Sequence, residues 1–407
     1  MLTQIPAIGD AHVHPGPRQA DRLKALDQII VEGLTRVPTS QLGAWAVAGD
    51  LFHQRSSIED RNAWATRLVA MANAAPVVVC YGNHDMPGDL DIFAKLRATF
   101  PIYVVDRPQV LRVQLATGSW LSVFVLPYPH PAGLVAAGTP PESVVETARA
   151  ALEAIFLHAG AQLEAARQQG DLTLFLGHVN VAGSIVSTGQ PQIGHEIELD
   201  QALLLRLGDC PKVLNHIHKH QVIGGAAYPG SICRLNWGEI EEKGYLVIEY
   251  NDGATWTLRW HPIAVPPMYH VEATFAQQAF TYDIAPDTIP KGSEVRVRVR
   301  FPQAERTFFE MGQPQVLADF AHASRLSIEP VCEVDRGLRA PEVAAAKTLL
   351  DKLVAWCHVN GLEPPDGLAE AVAALEHQEP EKVLADFTLR MEGLVRPQVE
   401  EPAEVTA

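Results

Sequence analysis

Disulfide chemistry is the first thing this sequence has too little of. Its five cysteines in 407 residues (Cys80, Cys210, Cys233, Cys332 and Cys357) lie far apart, are odd in number and never form a CxxC pair. That argues against a disulfide framework or a zinc ribbon, and they read as buried or incidental thiols. Long apolar stretches are missing too: no run approaches the roughly 18 to 20 residues that span a bilayer. Met1 to Asp10 also lacks the basic start and long apolar stretch of a secretory signal. The expectation is a cytoplasmic protein with no membrane partner. Basic charge is short, with 32 Lys and Arg against 48 Asp and Glu for a formal charge of −16. Such a chain repels a polyanion unless basic groups cluster locally or a partner supplies them.

What is present is a globular composition, 47% hydrophobic and 20% charged, on a chain long enough for two or three domains. The first 250 or so residues alternate short apolar runs with amphipathic stretches, the rhythm of an α/β layer structure. Ile5–Gly9, Ala44–Gly49, Pro76–Tyr81, Leu172–Gly177 and Lys212–His216 are nearly all apolar, as strands covered on both faces are. Arg112–Leu115 with Trp120–Leu126, and Gly244–Tyr250 with Thr255–His261 across Asn251-Asp252-Gly253, read as hairpins. Asp21–Gly33, Glu59–Ala74 and about Glu142–Gln168 carry helical apolar stripes. The rhythm breaks at Pro262–Pro267, after which Glu294–Arg300 alternates strictly with three arginines on one face; from Pro341 the pattern is helical. The expected organisation is 1–265, 266–338, 339–395 and an acidic, disordered tail 396–407.

Five apolar runs end in potential metal ligands: Gly9-Asp10-Ala11-His12, Gly49-Asp50-Leu51-Phe52-His53, Gly82-Asn83-His84-Asp85, Gly177-His178 and His216-Ile217-His218. Ligands at the carboxyl ends of central strands converge on one crevice. The set mixes oxygen and nitrogen donors without thiolate, which suits manganese, iron or zinc. It is too large for one ion. Two ions sharing a carboxylate can activate water and stabilise both oxygens of a phosphoester displacement.

In order, DxH, GDxxH, GNHD, GH and a final HxH make the sequence resemble the calcineurin-like metallophosphoesterases. A narrower resemblance is to SbcD-like nucleases of double-strand-break repair. It is carried by Tyr228–Glu239, Glu242-Lys243-Gly244-Tyr245, Gly177–Gly183 and the alternating Val295–Arg300 strand. The resemblance implies a two-sheet α/β sandwich flanked by helices, a small α+β capping domain for DNA recognition and C-terminal helices. It implies two divalent ions, Mn(2+) in the nucleases, with Asp10, His12, Asp50 and His218 on one and Asp50, Asn83, His178 and His216 on the other. His84 is implied as proton donor or charge stabiliser at the phosphate, oriented by His53. Asp85 either orients neighbouring groups or caps a helix. Two departures stand out: Asn215 occupies a family glycine position, and His14 follows His12 closely enough that either could be the ligand.

Arg296, Arg298 and Arg300 either contact a DNA backbone or form an exposed face balanced by acids. The segments Glu342–His358 and Glu381–Gly393 either pack on the body or dock a partner, since SbcD-like nucleases attach to an SMC-like coiled-coil ATPase; a homodimer is also implied. His130, His195, His220, His261 and His270 read as surface or hydrogen-bonded residues. The expected activity is an SbcD-like DNA exonuclease and endonuclease. Its rivals are a stand-alone phosphodiesterase acting on nucleotides or other small phosphoesters, and a non-catalytic scaffold.

Overall fold

The computed structural model describes residues 2–190, 196–251, 255–333 and 340–377. Residues 252–254 of the expected second hairpin, His195, the segment Glu381–Gly393 and the tail 396–407 lie outside the described residues.

Two six-stranded mixed sheets face each other. The first runs in the order Thr255–Ile263, Lys243–Asn251, Thr3–Ile8, Trp45–Ala48, Val77–Cys80, Ile102–Val105. The second runs Gln109–Gln114, Trp120–Leu126, Leu172–His178, Lys212–Asn215, Ala226–Tyr228, Gln221–Ile223. Period-two alternation assigns each strand two faces. Ala44, Ala46 and Ala48 turn toward the second sheet, where Val123, Val125, Leu174 and Leu176 meet them; these small residues let the sheets approach. Trp45 and Val47 point the other way, under Leu26 and Ile29 of the helix Gln19–Arg36 and Leu68 and Met71 of the helix Ile58–Ala74. Outside the second sheet, Phe124 and Phe175 pack against Leu152 and Phe156 of the helix Val144–Gln168. The result is the two-sheet sandwich flanked by helices.

A third, four-stranded sheet follows the Pro262–Pro267 break, in the order Ala279–Tyr282, Met268–Ala276, Glu294–Pro302, Arg325–Glu333. Val295, Val297 and Val299 are buried on one face, as are Phe309 and Val316 of the helix Arg306–Asp319. This sheet belongs to the same compact unit as the sandwich, residues 1–301 with 307–331. Arg18 meets Glu294 at 2.6 Å, and Arg325 meets Asp21 at 3.0 Å and the Pro17 carbonyl at 2.7 Å. Residues 264–267 link the sandwich to the third sheet without regular structure. The second unit, 302–306 with 332–407, contains the helices Pro341–Ala345, Leu349–Val359 and Leu368–His377. Its apolar pattern around 342–358 is two helices, because Thr348 caps a new one by accepting from the Asp351 amide at 3.1 Å.

Candidate metal centre

Each ligand-bearing turn leaves the carboxyl end of a parallel strand. Asp10, His12 and Asp50 take left-handed backbone conformations with φ of 47°, 46° and 51°, and His216 has φ 100°. Non-glycine residues rarely adopt this region, and such strain concentrates where surrounding structure fixes a site. Gly49, at φ 86°, could not be replaced, because a Cβ there would lie 2.5 Å from His178 Nδ1. A Cβ on Gly82 would collide with the Asp50 carboxylate and amide.

The converging side chains form two donor sets. In one, His12 Nε2 lies 3.2 Å from His218 Nε2 and 3.4 Å from Asp50 Oδ2, with an Asp10 oxygen within 4.8 Å of the two histidines. In the other, Asn83 Oδ1 lies 3.0 Å from His178 Nε2 and 2.9 Å from His216 Nδ1, and His178 Nε2 lies 3.4 Å from Asp50 Oδ2. Donors 2.0 to 2.2 Å from a shared ion are spaced by roughly 3.0 to 3.4 Å along the edges of its coordination polyhedron. These distances therefore fit two divalent cations bridged by Asp50.

Burial and the Asp50 charge set the protonation of the cluster when no cation is bound, and a cation would take the place of the proton that Asp50 holds on His178. Asp50 is buried, yet His178 and His12 hold its carboxyl well below the usual carboxylate range. Burial depresses His12, with Asp50 opposing. Burial opposes protonation of His178 too, but Asp50 lifts it to about 9. Burial and the His84 ring bring His53 down to about 4.

An outer ring of residues, not singled out from the sequence as site residues, fixes these ligands. His178 Nδ1 donates to the Ala48 carbonyl at 2.7 Å, tying the two sheets across the site. His216 Nε2 meets Glu196 at 2.5 Å. His218 Nδ1 lies 3.7 Å from Glu239, which pairs with Lys243 at 2.7 Å; both partners are at most 1% exposed. Burial raises Glu239, but His218 and Lys243 bring it down to about 2. Gln190 accepts from the His218 amide at 3.1 Å and donates to the His216 carbonyl. Such partners orient ligating histidines and set their tautomers. Glu196 and Gln190 sit in a polar loop without periodicity, so no sequence signal marks them. Glu239 and Lys243 stood in the stretches that carry the SbcD-like resemblance.

The two departures have physical answers. Position 215 needs no glycine, since the left-handed residue is His216. The Asn215 side chain fills the space beside Gly9 and donates to Asp10 Oδ2 at 3.0 Å. His12 faces Asp50 and His218, whereas His14 lies against the His53 ring at 4.9 Å with Nδ1 on the Pro15 carbonyl. His84 is fixed by its amide, which donates to Asp50 Oδ1 at 2.9 Å, and by Nδ1, which donates to the His53 carbonyl at 2.7 Å. The His53 ring stacks on His84 at 5.1 Å and also faces His12, Nδ1 to Nδ1, at 3.3 Å. Asp85 caps no helix. It accepts from the Gly82 amide at 2.9 Å and the Phe52 amide at 3.1 Å, binding two ligand turns together, and burial beside Asp50 pushes its carboxyl up to about 7.

The arginines lie away from this cluster, on the third sheet. Arg296 pairs with Glu329 at 2.5 Å, Arg298 with Glu329 at 3.3 Å and Glu272 at 3.6 Å, and Arg300 with Glu272 at 3.5 Å. His220 stacks on Trp260 and His261 on Tyr245, His130 packs edge-on to Tyr128, and His270 is exposed.

Residues 4–204 match the calcineurin-like phosphoesterase family. The chain carries a calcineurin-like phosphoesterase domain. Members of that family are hydrolases that use two divalent metals, and the chain carries a buried Asp/His cluster that could hold a metal ion. The match ends before Asn215–His218, which the second sheet delivers to the same crevice. Among solved structures, TT1561 of Thermus thermophilus aligns with 64% of this chain and 99% of its own, at 15% identity and a TM-score of 0.36. No helix among the described residues is long and apolar enough to cross a membrane.

Proposed function

We propose that the phosphoesterase domain is an SbcD-like, manganese-dependent DNA phosphodiester hydrolase that processes DNA ends with an SMC-like coiled-coil ATPase. The observation that carries phosphodiester hydrolysis is the pair of donor sets meeting at Asp50. Asp10, His12, Asp50 and His218 would hold one ion, and Asp50, Asn83, His178 and His216 the other. When bound, the ions would supply Lewis acidity that polarises a phosphoester and lowers the pKa of water. His84 is the residue left to act on the substrate. Its Nδ1–H is committed to the His53 carbonyl, so Nε2 is the nitrogen left for the substrate, and in the imidazolium form, with both nitrogens protonated, it would give its proton to the leaving oxygen or offset charge on the phosphate. His53 supports it from behind and steadies His12.

The DNA-directed part of the reading is supported by the Tyr228–Glu239 resemblance. That stretch ends in the residue facing His218, so its likeness to the nucleases falls on a segment that the site uses. The ATPase partner answers the −16 charge by bringing the basic surface that this chain lacks. One observation favours a second reading, a small phosphodiester substrate: all three arginines of the third sheet are already paired with carboxylates.

Manganese-dependent cleavage of end-labelled linear duplex DNA, run beside bis-p-nitrophenyl phosphate with His84→Ala as control, separates the readings. DNA cleavage lost in His84→Ala is the expected result. Hydrolysis of the small diester with DNA intact, even with the ATPase added, selects the second reading. Inactivity on both with metal bound selects a scaffold.

A further inference from the structure

Next to the metal centre lies a cavity of about 190 Å³ lined by Tyr81, Asp85, Asp91, Asp106, Tyr128 and His130, with Gly82 of the ligand turn in its wall. This is below the usual volume of pockets for drug-sized ligands and suits one ring system. Its walls are of two kinds. One is aromatic and stiff. Pro127-Tyr128-Pro129-His130-Pro131 alternates rings with prolines, whose fixed φ removes backbone freedom before any ligand arrives. The Tyr128 amide donates to the Tyr81 carbonyl at 3.1 Å. The Tyr128 ring lies 4.7 Å from His130 on one side and 5.4 Å from the ligand histidine His216 on the other, so it stands between cavity and metal centre. The second wall is acidic. Asp91 and Asp106 are exposed at the rim; no Lys or Arg is among the lining residues, and Asp106 gives one oxygen to the exposed Arg107 at 3.3 Å and keeps the other. Asp91 is held by the Tyr81 hydroxyl, which donates to it at 2.9 Å, and a carboxylate keeps further acceptor capacity after one bond.

Charge decides what such a cavity takes. A phosphate is repelled from it. A nucleobase offers the opposite chemistry, a face for an aromatic ring and exocyclic N–H donors for carboxylates. We propose that this cavity receives the nucleobase of the nucleotide carrying the scissile phosphate, with Tyr128 as the stacking ring and Asp91 and Asp106 accepting from its amino group. The inference rests on the DNA-directed reading above. Tyr128 then becomes the residue that makes the site selective for nucleotides over other phosphodiesters.

Two measurements test it. Binding of deoxyadenosine, compared with deoxyribose, needs neither metal nor cleavage. Ligand-observed NMR should show the nucleoside favoured by wild type and by Tyr128→Phe, and weakened about tenfold in Tyr128→Ala, the scale of one lost ring stack. Manganese-loaded cleavage of an oligonucleotide with an intact or an abasic terminal nucleotide should favour the intact end about tenfold, with the ratio near one in Tyr128→Ala. Equal binding of sugar and nucleoside, or a Tyr128→Ala loss shared equally by both oligonucleotides, overturns the base cavity. Nucleoside binding that depends on Tyr128 in a protein that cuts no DNA keeps the cavity and removes the DNA-directed reading instead.

Discussion

The sandwich crevice and the third sheet handle charge in opposite ways. On the third sheet every notable arginine is answered: Arg296, Arg298 and Arg300 share Glu272 and Glu329 on one face. In the crevice, atoms able to ligate a metal crowd together: His12 Nε2 faces His218 Nε2, and Asn83 Oδ1 faces His178 and His216, with no Lys or Arg among these described residues. Ligand-type side chains brought this close together, on backbone held in left-handed conformations at strand ends, mark a functional site. A surface whose charges cancel has already spent them on itself.

The largest effect should come from breaking the crevice at its shared ligand. Asp50→Asn removes the charge common to both donor sets, and the several kcal/mol such ions supply translates to a loss of about 10³-fold or more in kcat. Bound metal, measured by elemental analysis, should fall with it. Activity surviving with full metal content would show that Asp50 is no bridge. Next comes Lys243→Met, which strands Glu239 as a buried unpaired charge beside His218. Breaking one partner of a buried pair costs about 3 to 5 kcal/mol, readable in denaturant unfolding. The double change Lys243→Met with Glu239→Gln should recover part of that loss. Third, chelation should lower the unfolding midpoint. A cation at 100 times its Kd stabilises the folded chain by about 2.7 kcal/mol per site. A third-sheet variant, whose paired charges hold no metal, should keep the full shift, and an unchanged midpoint in wild type would sink the two-ion assignment.

That comparison also explains what could be read in advance. The crevice ligands were legible because each follows an apolar run, and strand-end turns in an α/β layer must open on one edge. Gly49 and Gly82 belonged to the same signal, being the only residue type the crowded turns accept. The sandwich was legible from Ala44–Ala48 and Leu172–Leu176, since doubly buried strands must be apolar on both faces. The supporting residues were not. Glu196 and Gln190 reach the ligands from a loop with no periodicity, and Tyr128 reaches them from a proline-rich turn whose meaning depends on a neighbour 88 residues away, His216. The partners of the arginines were equally hidden, because Glu272 and Glu329 arrive on neighbouring strands of the sheet.

The smallest predicted effect is the one that tests the comparison most directly. Exposed pairs contribute little to stability, up to about 1 kcal/mol each, so Arg296→Ala, Arg298→Ala and Arg300→Ala combined should leave the fold intact. Their weight in DNA binding follows from charge. Each phosphate contact adds about 0.9 to the slope of log affinity against log salt. Three free arginines would contribute about 2.7 on that scale. Three arginines sharing two glutamates present a net charge of one, and the slope should then change by about 0.9. A titration of duplex DNA against salt, wild type beside the triple variant, reads this difference. A change near the larger value would mean that DNA displaces Glu272 and Glu329 and that pairing in the free protein conceals a binding face. A change near the smaller one leaves the crevice and the ATPase partner to hold the nucleic acid, as the contrast between the two regions requires.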